Sequence, residues 1–146
     1  MEYYNIRQAI SADLPSIAAL LQCSFLPTVG IALESAKFLV AETQSNDIIG
    51  VLGAQQEGTS TLLRSFAVAE SWRSQGVGTA LVNTMLTLLL EQNNKQLYLL
   101  TETAATYFER LDFQAISREE IPQTLLVQSG LYQACPCSSQ CLKKEL

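Results

Sequence analysis

The spacing of apolar and polar positions changes period several times along the chain, and each change predicts a new element. Residues 6–9 read as a short strand, and Ser11-Ala12-Asp13-Leu14-Pro15 then has the composition of a helix start, with Ile17, Leu20 and Leu21 at helical spacing behind it. Phe25-Leu26-Pro27-Thr28-Val29-Gly30 sets a proline and a glycine between periodic segments, which predicts a loop bordering a pocket ahead of residues 32–35. Residues 38–42, 48–55 and 61–68 are β-type runs joined by the polar turns Gln44-Ser45-Asn46-Asp47 and Glu57-Gly58, the pattern of an antiparallel meander.

After Val68 the pattern passes through Ala69-Glu70-Ser71-Trp72-Arg73-Ser74-Gln75-Gly76-Val77-Gly78 into a long helix. That helix turns Val77, Leu81, Val82, Met85, Leu88 and Leu89 inward and ends near Asn93-Asn94. Residues 96–101 predict an apolar strand, 103–110 a short helix and 113–117 another strand. The remainder, 118–146, is less regular, with one strand expected around 135–142. There is no internal repeat or interdomain linker, so residues 1–146 are expected to form a single α/β domain.

Composition narrows the function. Of 146 residues 48% are hydrophobic and 16% charged, which excludes disorder, and the net charge of −5 supplies no basic field for nucleic acid or an anionic membrane. The first residues lack the basic patch and apolar run of a signal peptide, and the apolar stretch 81–90 is half the length of a membrane span; a cytoplasmic protein is expected. The absence of histidine removes Ser-His-Asp and Cys-His catalysis and most zinc sites. Any base must then be a carboxylate, a tyrosine, a thiol, an amine or water.

The informative segment is Arg73-Ser74-Gln75-Gly76-Val77-Gly78-Thr79. Two glycines at a helix start let consecutive N–H groups converge on one anion, and the helix dipole adds roughly 0.3 to 2 kcal/mol. The segment is neither a P-loop, since no Gly-Lys-Ser/Thr follows, nor a good dinucleotide fingerprint, since Leu81 stands at the third glycine position.

Arg73-x-x-Gly76-x-Gly78 resembles the signature of the GNAT superfamily of acetyl-CoA-dependent N-acetyltransferases, and the similarity continues through 63–68 and through Tyr107-Phe108-Glu109-Arg110-Leu111-Asp112-Phe113. The resemblance implies a mostly antiparallel sheet that becomes parallel at a central splay. It implies acetyl-CoA as co-substrate and no metal. Arg73, Ser74, Gln75, Gly76, Val77, Gly78 and Thr79 would hold the pyrophosphate; Phe66, Ala67 and Val68 would run along the pantetheine arm, with Thr101 and Phe108 also on the cofactor side. The Val68 amide would polarise the thioester carbonyl. A narrower similarity, to acetyltransferases associated with arsenic resistance, rests on Leu26-Pro27-Thr28, Phe38-Leu39-Val40-Ala41-Glu42, Leu62-Leu63-Arg64-Ser65, Leu99-Leu100-Thr101 and Cys135-Pro136-x-Ser138-x-x-Cys141.

The chain also departs from the family pattern. The tyrosine that protonates the departing thiolate aligns with Phe108, and Tyr107, one residue away, is turned by about 100° and reads as a packing aromatic, although it is the nearest candidate acid. The pantetheine-holding asparagine falls at Thr101, and the glycine of the following turn at Asp112. Where relatives carry a glutamate base this chain has Arg64, whose fork suits a carboxylate: either it holds an amino-acid-like acceptor near Phe25, Pro27 and Thr28, or it makes a structural salt bridge. Glu102 and Glu34 remain candidate bases through water. The expected reaction is acetyl transfer to the primary amine of a small molecule, in arsenic or xenobiotic resistance. No nucleic acid or membrane partner is expected, and a homodimer is left open.

Alternatives from other classes are a non-catalytic acyl-CoA sensor and a cysteine-based metalloid-binding protein. The second rests on Cys135, Cys137 and Cys141, which would share one face of a continuous strand; Pro136 interrupts that alternation.

Overall fold

The apolar runs form the strands that their alternation demands, and the helical spacings form helices laid over them. The computed structural model describes residues 3–29, 31–34, 36–101, 104–129 and 139–146. Its elements are β1 (Tyr4–Gln8), α1 (Leu14–Cys23), β2 (Lys37–Thr43), β3 (Ile48–Glu57), β4 (Ser60–Val68), α2 (Val77–Glu91), β5 (Gln96–Thr101), α3 (Ala105–Glu109), β6 (Gln114–Ile116), α4 (Gln123–Ser129) and β7 (Gln140–Glu145).

The strands make one seven-stranded sheet in the order β1-β2-β3-β4-β5-β7-β6. β1 to β4 form the expected antiparallel meander, and β4 beside β5 is the parallel pair. That pairing covers Ser60↔Gln96, Thr61↔Leu97 and Leu62↔Tyr98 and stops, while β5 continues beside β7 to Thr101↔Gln140. Past Leu62 the two central strands therefore part.

A bulge accompanies the parting. Between the pairs Val51↔Ala67 and Gly53↔Arg64, β4 carries one residue more than β3, and Ser65 takes up the surplus at φ 56°. The extra residue reverses the alternation of β4. Leu62 belongs to the core beneath α4, yet Phe66 and Val68, which simple alternation would put on the same face, pack with the core beneath α2.

The two faces of the sheet are covered by different helices. α2 and α3 cover one, over Leu39, Leu52, Leu63, Leu97 and Leu99. On the other, α1 packs on Phe38, Val40 and Val51, and α4 on Leu62 and Tyr98. α2 buries Val77, Leu81, Val82, Met85 and Leu89 of the stripe read from the sequence, and Leu88 is half-buried against the same core.

Three helices end on the same left-handed cap. Phe25, Asn93 and Asp112 have φ of 58°, 62° and 70°, and the next residue in each case donates its N–H five residues back: Leu26 to Leu21, Asn94 to Leu89 and Phe113 to Phe108.

Some elements differ from expectation. β1 begins at Tyr4, and α3 and β6 are shorter than the stretches 103–110 and 113–117. β7 extends to Glu145, past residue 142, because its register is set by β5 and its polar end is still useful: Lys143 lies over the Tyr98 ring and Lys144 over Phe113. α4 was not anticipated; Pro122 opens it, and Leu125 and Leu126 are fully buried.

Candidate functional site

The site is built first from backbone. The N–H of Ala69 donates to the carbonyl of Ile49, so in the alternation of β4 Ala67 and Ala69 face β3, whereas Phe66 and Val68 turn their N–H and C=O groups toward the gap left by β5. At the end of this gap lies the loop to α2. Arg73 donates from Nε to the Val68 carbonyl at 3.2 Å, and Gln75 donates to the Ser71 carbonyl, so the loop folds back on its own strand. Ser74 and Gly76 are left-handed, at φ 64° and 84°.

Gly76 is the N-cap of α2 and makes no side-chain cap, so the first amides of that helix, at Val77, Gly78 and Thr79, are presented without intrahelical partners. A Cβ on Gly78 would come within 3.0 Å of Phe66 Cζ, so the glycine lets the first turn of α2 close onto the ring that floors the gap. Open amides, a helix N-terminus and a strand edge thus converge, as a pyrophosphate with an amide-bearing arm requires.

α3 supplies a side-chain hydroxyl that reaches this edge from across the gap. Tyr107 stacks on Phe66, with centroids 6.2 Å apart and planes at 24°, and its hydroxyl lies 3.0 Å from Thr79 Oγ1 on the first turn of α2. Phe108 instead enters the core, 3% exposed, packed edge-on against Phe66 and Phe113. Tyr107 thus reaches α2 from across the gap, while the neighbouring Phe108 is buried in the core. The physical reason is the cap at Asp112, which turns the chain so that Phe108 and Phe113 meet in the core.

Two other expected cofactor contacts are redirected. Ala67 pairs with β3, and its side chain is buried beneath α1. The Thr101 hydroxyl accepts the N–H of Ala104 at 2.9 Å and so braces the approach to α3.

The expected acceptor residues are not brought together as one wall. Phe25 is 95% exposed, because the left-handed cap of α1 throws its ring into solvent. Pro27 and Thr28 are half-buried in the segment after that cap. Arg64 is buried, and its guanidinium is engaged by the protein itself: Nη1 donates to the Ser129 carbonyl at 2.8 Å, Nη2 to the Val29 carbonyl and Nε to Ser65 Oγ at 3.1 Å. Glu34 lies on a cavity of about 400 Å³ with Gln8, Lys37, Phe38 and Gln56, on the β1–β3 side of the sheet and away from the Val68 amide. Gly30, Glu102, Cys135 and Cys137 lie outside the described residues. Cys141 is buried in the core beneath α4, and that burial pushes its thiol up, which disfavours the thiolate a metalloid would need.

Residues 34–115 match the acetyltransferase (GNAT) domain family. None of the curated proteins matches the sequence. Among solved structures, a GNAT-family acetyltransferase from Staphylococcus aureus superposes with a TM-score of 0.79 at 17% identity, covering 99% of both chains. The N-acetylglutamate synthase of Neisseria gonorrhoeae, complexed with coenzyme A and N-acetyl-glutamate, has a TM-score of 0.80 at 22% identity; the match covers 99% of this chain and 35% of that one. A GNAT-family N-acetyltransferase from Escherichia coli in complex with CoA gives 0.66 at 25% identity, over 78% of this chain and 70% of the other.

Proposed function

This chain is a member of the GNAT acetyltransferase family, and on that premise we propose that it moves an acetyl group from acetyl-CoA to the primary amine of a small, amino-acid-like molecule. The observation that carries the reading is the parting of β4 from β5 beside the uncapped start of α2. It offers a strand edge for the amide-bearing arm and helix amides for the pyrophosphate.

In this reading the backbone from Ser74 to Thr79 holds the pyrophosphate, and the free edge at Phe66 and Val68 pairs with the arm. The Val68 N–H polarises the thioester carbonyl. A neutral amine attacks the carbonyl carbon, the C–N bond forms, and the C–S bond breaks to give a thiolate. Tyr107, poised by Thr79, donates its phenolic proton to that thiolate and is reprotonated from water, which also receives the proton lost by the amine. The acceptor class rests on the similarity to arsenic-resistance acetyltransferases, and the N-acetylglutamate complex in the same fold makes acidic amino acids the first to try. The whole chain acts as one unit in the cytoplasm.

Free thiol released from acetyl-CoA, measured against amino acids, phosphonate and arsenic-containing analogues and polyamines, tests the reading. Turnover is expected with an anionic amino-acid analogue. Tyr107→Phe should lower kcat by about 10- to 100-fold while leaving the KM for acetyl-CoA within about threefold. Tight CoA binding without turnover on any amine would make the protein a sensor instead.

A further inference from the structure

Arg64 stands two residues beyond the last parallel pair, where β4 leaves β5, on the face covered by α1 and α4. The acyl donor is assigned to the opposite face, beneath α2 and α3, so an acceptor must approach the gap from the side of Arg64. On that side the gap is flanked by the segment after α1 and by the end of α4, and Arg64 donates to both: Val29 from one, Ser129 from the other.

Both segments take a tie from it. Among the described residues, the backbone of 27–29 makes no hydrogen bond except the one that Val29 accepts from Arg64. Ser129 closes α4, where the last carbonyls have no intrahelical donors and a cation is favoured by the dipole. Its own hydroxyl turns back to the Leu126 carbonyl at 2.9 Å, so the last turn is fixed and its end is clamped from β4. A guanidinium can serve both carbonyls because its donors are splayed in one rigid plane; an ammonium is a single point.

The geometry points to Arg64 as a positioning residue, a clasp that sets the separation of the two acceptor walls without touching the acceptor. This inference rests on the transferase reading above for the identity of the walls. It differs from that reading's first expectation, in which the same side chain grips a ligand carboxylate.

The test combines amide hydrogen exchange with kinetics on the full chain, using Arg64→Lys and Arg64→Gln, with paired acceptors: amino acids and the corresponding amines lacking the carboxylate. The clasp predicts faster exchange in 26–29 and 126–129 together. It predicts an acceptor KM raised about tenfold by the same factor for both members of each pair, with the KM for acetyl-CoA within about twofold. A penalty confined to carboxylate-bearing acceptors would overturn the clasp in favour of a direct anchor, and so would exchange that rises in only one segment or in neither. If Arg64→Gln does not fold, Arg64→Lys, which keeps the charge, carries the test. A wild-type chain silent toward every amine, but with exchange loosened in both segments of the variants, would sink the transferase reading and still support the clasp.

Discussion

The two faces of the sheet are held by different means. Beneath α2 and α3 the site is made of main chain: a strand edge, helix amides and left-handed backbone at Ser74 and Gly76, with side chains such as Phe66 and Phe108 serving as packing. Beneath α1 and α4 the geometry depends on two arginines. Arg64 joins Val29 to Ser129, and Arg7 joins Asp13 at the start of α1, at 2.7 and 2.9 Å, to Glu42 on β2. A face built of backbone tolerates many side chains and few changes of space. A face tied by side chains tolerates few losses of charge.

The largest effect should follow from filling space on the first face. Gly78→Val would drive a branched side chain against the Phe66 ring and into the cradle, and should weaken acetyl-CoA binding about 100-fold by calorimetry, with the fold retained. Affinity kept within threefold would mean that the donor does not lie on that turn.

Removing a charge tests the second face. The Arg7 guanidinium holds the Asp13 carboxyl below the usual carboxylate range, with help from the Ile10 N–H. A depressed folded-state value means that the ion pair contributes stability above the unfolded value of about 4 and loses it as pH falls through the folded one. Asp13→Asn should therefore be less stable than the wild type at pH 7 by about 1 to 2 kcal/mol, and the two denaturation midpoints should converge below pH 4. A gap that persists at pH 2 would show that the loss was one of packing.

The smallest effect sharpens the comparison. Phe25 lies on the second face's side of the molecule but has no packing role, and its left-handed backbone is strained. Phe25→Gly should raise stability by about 0.5 to 1 kcal/mol and leave the acceptor KM unchanged. A rise in that KM would return the ring to the acceptor site.

This contrast also decides what was legible in the sequence. Backbone devices leave compositional traces: the meander turns and the helical stripe from Val77 to Leu89 predicted the sheet and its long helix, and the glycines at 76 and 78 marked the loop that the donor reading uses. Side-chain ties leave fewer, because two of the partners of Arg64 are carbonyls 35 and 65 residues away. Its chemistry, a fork seeking oxygen atoms, could be read; which oxygens could not. The roles of Tyr107 and Phe108 were hard to separate because α3 is only five residues long, so one residue of offset exchanges cleft for core. α4 was missed for a similar reason, since seven residues give an apolar period little room to repeat.

The bulge at Ser65 has an effect that no side chain carries. It is a difference of length: over one stretch β4 is a residue longer than the strand it lies against. Without Ser65, β4 would match β3 residue for residue, keep Phe66 and Val68 on the face they now occupy, and lose the bend that carries it away from its parallel neighbour. The opening on which the proposed chemistry depends is in this sense an arithmetical property of the chain, set by one residue more on one strand than on its partner.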